Sequence, residues 1–171
     1  MDRPETNEYD AYSGNYISLV EAGKVMPILA AQADDLRLVI SPLPEQKGTQ
    51  SYSESKWTIK EVLSHLIDGE RIFAYRLLRI SRGDETAIEG FEQDGYIENS
   101  NANNRSFADL LDEFDLQRRS NLLLMNNLDD AASRRMGTAN GLPISVRAIA
   151  YIMAGHVRHH LSILMERYLV K

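Results

Sequence analysis

Apolar residues recur at three- and four-residue steps through four long segments of this chain, each closed off by turn-forming residues, and this spacing constrains the fold more than any other feature. Nothing alternates with a two-residue period over a useful length, which leaves helices packed on helices. The first segment covers about 16–40, with Ile17, Val20, Lys24, Ile28 and Ala31 in helical steps and Pro27 expected to bend or split it. Ser41-Pro-Leu-Pro44 ends it, because proline disfavours helical geometry in the residue before it. Thr58 caps the second segment, with Glu61 where a capping box places its carboxylate. Ile59, Val62, Leu66, Phe73 and Leu77 then run along one side to about Ser81, where Arg82-Gly83-Asp84 stops the helix. Residues 84–105 are rich in Asn, Asp, Glu and Gly, a loop of the length that lids and binding loops use. Ser106 caps the third segment, with Asp109 in its first turn, and the helix continues to about Leu128. The fourth starts near Ser145, after the turn residues Gly137, Gly141 and Pro143, and is expected to end near Val170. These segments predict an all-α, up-down four-helix bundle with a long crossover loop, forming a single domain over residues 1–171.

Charge and composition remove several functions. A formal charge of −6 argues against a nucleic-acid binder, which needs clustered cations to replace counterions around phosphates. The pairs Arg118–Arg119 and Arg134–Arg135 are too short to form a basic stripe and read as solvated helix faces. With no cysteine there is no disulfide, no thiolate ligand and no protein thiol nucleophile, which fits a reducing cytoplasm. The first ten residues lack the basic start and apolar run of a leader, and no stretch approaches the roughly 20 apolar residues a membrane span needs. The expected setting is the cytoplasm, with a small-molecule substrate and neither nucleic acid nor membrane as partner.

The chemistry concentrates in histidine. In Gly155-His-Val-Arg-His-His160, His156 and His160 are four residues apart, so they lie about 40° apart around a helix. Tracing the apolar seam gives Ile149, Met153, His156, His160 and Ile163, so both rings occupy the stripe that faces the core. His159 flanks the seam, about 100° from His160. His65 lies in line with Val62, Gly69 and Ile72 on the second segment, and Gly69 removes a side chain where space for a ligand would be useful. Two core histidines satisfied by hydrogen bonds are the plain alternative. Three neutral imidazoles from facing helices would instead suit Zn, Ni, Fe or Cu and leave coordination positions open. Arg76 returns to nearly the same face as His65 three turns on, where it could pair with an anionic substrate. Glu70, about 140° from His65, reads as a solvated or interface carboxylate, and Trp57 as a staple residue before the helix. Asp94 and Tyr96 sit on the long loop that could close over the site.

Lys56-Trp-Thr-Ile-Lys-Glu-Val-Leu-Ser-His65-Leu-Ile-Asp-Gly-Glu70 and Ala154-Gly-His-Val-Arg-His-His160 resemble the second- and fourth-helix motifs of DinB-like proteins. The tract from Tyr9 to Val20 and Gly90-Phe-Glu-Gln-Asp-Gly-Tyr96 are similar to that family as well. The resemblance implies an up-and-down bundle, usually a homodimer, in which the positions of His65, His156 and His160 bind one divalent metal ion such as Zn, Ni or Fe. It also implies one of several activities: transfer from a low-molecular-weight thiol, hydrolysis of a small amide or ester, or none known. An external thiol, ordinarily with a pKa of about 8.5, would be deprotonated by such a metal at neutral pH. The leading expectation is therefore a thiol S-transferase, with Arg76 holding a carboxylate of the thiol cofactor, His159 shuttling a proton, and Asp94 and Tyr96 near the substrate. The alternatives are a metal-dependent hydrolase, disfavoured because Val157, Arg158 and His159 supply no carboxylate base between the paired histidines, and a metal-stabilised binding protein without turnover.

Overall fold

Helix starts follow the capping residues. In the computed structural model, which describes residues 1–23 and 25–169, Thr58 accepts a hydrogen bond from the Glu61 N–H at 3.2 Å, and Glu61 accepts one from the Thr58 N–H at 2.7 Å. That capping box opens α3 (Ile59–Ser81). Ser106 caps α5 (Phe107–Asn126), accepting from the Asp109 N–H, and Ser145 caps α7 (Val146–Ile163), accepting from the Ala148 N–H. After α7 the backbone widens into a π turn, Leu164–Tyr168. Lys24, Val170 and Lys171, which include one residue of the first apolar stripe and the expected end of the last helix, lie outside the described residues.

The first segment is two helices, α1 (Ala11–Ser18) and α2 (Val25–Ile40), and the break precedes Pro27. Asp10 starts α1 by capping the Tyr12 and Ser13 N–H groups, while Pro27 sits in the first turn of α2, where its missing N–H costs nothing. Gly23 takes φ +74° in the connection, and its N–H donates to the Tyr151 hydroxyl. Two short helices, α4 (Gln93–Glu98) and α6 (Asp130–Ser133), lie in the connections.

Helices α2 and α3 each pack against both α5 and α7, which completes the four-helix bundle, and α1 lies along α7. The α1–α7 approach is close because residue 155 is glycine: a Cβ there would overlap the Tyr16 carbonyl. The small sheet was not expected. Strands β1 (Met136–Ala139) and β2 (Leu142–Ser145) pair antiparallel around Asn140 and Gly141, both at positive φ. Ile88 of the long loop joins this hairpin, donating to the Thr138 carbonyl and accepting from the Asn140 N–H.

The apolar core is divided. One cluster gathers Leu29, Leu77, Ile80, Ile149 and Met153; the other gathers Leu36, Ile40, Leu63, Leu66, Phe114 and Val157. Polar side chains from the bundle helices lie where the clusters meet. Arg118, expected on a solvated face, is 1% exposed. Its Nε and Nη2 donate to the two oxygens of Glu70 at 2.8 and 2.9 Å, and its Nη1 donates to the Leu29 carbonyl and to Gln32 Oε1. Glu70, read as a solvated or interface carboxylate, is 2% exposed and accepts a further bond from Asn121. Gln32 then donates to the Ala154 carbonyl at 2.6 Å, so the network touches α2, α3, α5 and α7. Arg119 does lie at the surface, paired with Asp115, and Arg134 and Arg135 are exposed.

Removing one side of a buried pair leaves an uncompensated charge, whereas removing both does not. Arg118→Met is expected to cost about 3–5 kcal/mol in urea unfolding, and adding Glu70→Met should restore most of it. Equal losses in the single and double variants would show that packing, not the orphaned charge, sets the cost.

Candidate metal centre

His65 comes from α3, and His156 and His160 from one face of α7, just beside the Gln32–Ala154 bond. The three side chains are 4%, 6% and 9% exposed. Their ring centroids stand 4.7–4.8 Å apart, and a ligand atom from each lies within 4.8 Å of the others. His65 Nε2 and His156 Nε2 face each other at 2.8 Å. Two imidazole nitrogens that close need a proton or a cation between them, because two lone pairs repel.

Burial holds all three rings neutral. Desolvation is the largest cause at each, reinforced by neighbouring imidazoles: it takes His65 down to about 4, His160 to about 3, and His156 well below the ordinary histidine range. Neutral imidazoles offer lone pairs, and the donor set contains no carboxylate, which is the chemistry of a borderline divalent ion. Two nitrogens on one tetrahedral ion with bonds of about 2.0–2.1 Å stand about 3.3 Å apart, so the observed pair would open by about half an ångström. The residues present therefore fit a metal ion.

Aromatic edges orient the ligand rings. Trp57 lies 4.7 Å from the His65 ring, Tyr16 packs edge-on to His156 and His159, and Phe73 packs edge-on to His156. Tyr168, in the π turn, donates its hydroxyl proton to the Trp57 carbonyl at 2.6 Å, which ties the end of α7 to the start of α3. Gly69 lines the cavity beside the histidines, as expected, and has a second use. A Cβ there would stand 3.1 Å from His156 Cε1, so the glycine makes room for the ligand ring itself.

A cavity of about 360 Å³ opens beside the trio. His65 and His156 form part of its wall, with Phe73, Phe91, Ile144 and Ile152 among its apolar lining. Arg76 lines the same cavity. Asp10, a carboxylate in this wall, is occupied: it accepts from the Tyr12 and Ser13 N–H groups and the Ser13 hydroxyl. A second cavity of about 320 Å³ touches His160, Trp57, Asp94 and Tyr168, and Gln93 lines both. Asp94 is exposed there, whereas Tyr96 packs at a tilt against Phe91 and lines neither cavity. His159 is exposed, packs edge-on to His160, and also lines neither. Sequence reasoning missed Tyr16, Phe73, Gln93 and the hairpin wall. The hairpin had a signal: Asn140-Gly141 is a strong mark of a two-residue turn.

The unfolded chain protonates histidine below about pH 6.5, while the folded, metal-free chain resists until about pH 4 or lower. Folded pKa values below unfolded ones mean that stability is present above pH 6.5 and is lost as pH falls. By pH 4 the loss is expected to be on the order of 3 kcal/mol for His65 and similar for His160. Urea unfolding of metal-free protein should show it between pH 6.5 and 5, with a shallower slope in His160→Asn; a flat profile there would contradict neutral burial.

A family profile described as the DinB superfamily matches residues 28–164. No curated protein matches the chain. Among solved structures, the chain is similar to YfiT from Bacillus subtilis, described as a probable metal-dependent hydrolase with an unusual four-helix bundle topology. The two are 15% identical, with a TM-score of 0.77 over 95% of this chain and 89% of that one, which is a likeness of fold.

Proposed function

The chain belongs to the DinB superfamily, and on that premise we propose that it is a metal-dependent transferase that joins an external low-molecular-weight thiol to a small electrophile. One divalent ion, Zn, Ni or Fe, is assigned to His65, His156 and His160. The observation that carries this reading is the convergence of three buried, neutral imidazoles on an apolar cavity. The nearby carboxylates of Glu70 and Asp10 are already committed, to Arg118 and to the α1 cap. A divalent ion held there would act as a Lewis acid that lowers the pKa of a thiol or a water.

The chain's own residues bind, orient and exclude water. Trp57, Tyr16 and Phe73 fix the ligand rings, and the cavity lining desolvates the electrophile. The thiol sulfur forms the new bond to the electrophilic carbon as the bond from that carbon to its leaving group breaks; the leaving group departs with the bonding electron pair, and the thiol proton leaves to solvent. We assign His159, exposed beside the His160 ring, as the relay for that proton, and Asp94 as a polar contact in the second cavity. Tyr96 would act only by bracing Phe91. The same reading takes residues 1–171 as one cytoplasmic domain that works as a homodimer. Among the described residues no helix is long and apolar enough to cross a membrane.

Hydrolysis of a small amide or ester is the second reading. It is favoured by the exposed carboxylate of Asp94 in the cavity that His160 lines, where it could serve as base for a water.

Protein purified without a metal-affinity tag is expected to carry about one equivalent of Zn, Ni or Fe by elemental analysis, and His156→Ala to lose it. The single tryptophan, Trp57, lies against His65, so its fluorescence should change on metal addition to stripped protein. Metal-dependent conjugates from a panel of thiols and electrophiles would support transfer. Metal-dependent release of acid from esters or amides, with no conjugate, would favour hydrolysis. Bound metal with neither product would leave a metal-stabilised binding protein.

A further inference from the structure

Among the described residues the two fully buried arginines are paired with carboxylates, and the half-buried Arg76 of the cavity wall is not. Arg118 is matched by Glu70, and Arg147 by both oxygens of Glu8. Arg76 has no carboxylate within 4.0 Å among the described residues. Its one hydrogen bond is a long contact, 3.3 Å, from Nη2 to the Glu89 carbonyl. Its Nε is buried and has no partner at all. Burial also lowers its pKa with no acid to oppose the shift. An unpaired guanidinium half-buried in an apolar wall carries a desolvation cost that an incoming anion would offset.

The surroundings define the shape of that anion. Arg76 faces the cavity that His65 and His156 line, and Phe73, Phe91 and Ile152 make the wall between apolar. Asp10 also lines this cavity, and its carboxylate is held by three donors of the α1 start, the Tyr12 and Ser13 N–H groups and the Ser13 hydroxyl, which fix it at the helix cap. Eleven residues along α3 place Arg76 about 16 Å from His65 by axial rise and within about 20° of its face. Side chains on a helix lean toward its N-terminus, so the guanidinium reaches back toward the histidines. His65 leans the same way, so only the extra length of the arginine shortens the gap, leaving about 10–13 Å, the extended span of about nine to eleven atoms.

We propose that this cavity takes a small carboxylate with an apolar body, its anionic end seated on Arg76 and its reactive end at the His65–His156 wall. The inference rests on the metal assignment above. It adds that the reactant is anionic, and that its charge lies about nine to eleven atoms from the reacting end.

The probes are 8-mercaptooctanoic acid and 8-mercaptooctanol, which share a thiol head and chain and differ in the far charge. They are titrated calorimetrically into zinc-loaded wild type, Arg76→Gln and Arg76→Lys, with zinc content measured in each. In wild type the acid is expected to bind at least about ten-fold tighter than the alcohol. Arg76→Gln should abolish that preference while keeping its zinc, and Arg76→Lys should keep part of it. A shorter acid, 3-mercaptopropionic acid, should gain little over its alcohol. Equal binding of acid and alcohol to zinc-loaded wild type, or no binding of either, overturns the inference and leaves the metal assignment standing. A preference that survives in zinc-loaded Arg76→Gln overturns the role of Arg76. Wild type that takes up no zinc overturns the metal assignment, and this inference with it.

Discussion

Arg118 sits within the bundle with four of its five guanidinium N–H groups bonded, and the positions of other functional groups depend on it. Its two bonds to Glu70 join α5 to α3, and its contacts with Leu29 and Gln32 join both to α2. Gln32 completes the set by holding the Ala154 carbonyl, two residues before His156. A buried ion pair of this kind adds little net stability, since the cost of desolvating two charges offsets much of their attraction. What it adds here is register. Sliding α7 against α2 would break the Gln32–Ala154 bond and leave the Gln32 amide N–H to find another partner in a region closed to water. The same bond that satisfies Gln32 therefore sets the height of the paired histidines against His65.

The cluster of imidazoles is the complementary case, a polar group whose satisfaction is not supplied by the protein. Among the described residues, the rings are held by aromatic edges and by one another. Burial pays for their neutrality and leaves lone pairs pointing at a shared space. Arg118 is one of the charges that oppose protonation of His156, so the structural ion pair also helps keep the ligand set in its metal-binding form. Structure and chemistry meet in a layer between two apolar clusters that could otherwise have merged into one core.

Much of this was legible in the sequence because the signals were local. Thr58, Ser106 and Ser145 mark helix starts through bonds made within one turn, and His156 and His160 share a face by spacing alone. The misreadings concern interactions between helices. Arg118 looks like a surface charge and Glu70 like a solvated or interface one, since a single amphipathic pattern cannot show that two polar interruptions on different helices will meet. Gly69 reads as room for a ligand, which it does leave, but its fit against the His156 ring shows only once α7 is placed. The split between α1 and α2 was half visible in Pro27, but the break depends on Gly23 and on Tyr151, which is 128 residues away. The hairpin was the avoidable omission, because Asn140-Gly141 is itself a local signal.

That hairpin changes what the site can be. A bare bundle would open its histidines to solvent along the α3–α7 groove. Here Ile88 binds the long loop to β1, and Asn140 sits against Gly90, so loop and hairpin form one wall beside Phe91. The wall turns an open groove into a cavity that has the ligand rings on one side and Arg76 on another. A substitution at Gly90 or Asn140, far from the histidines in sequence, would thus reshape the cavity without touching the ligands. Arg76 gains its unpaired state from the same arrangement, because the loop that shelters it offers a backbone carbonyl, from Glu89, and no carboxylate.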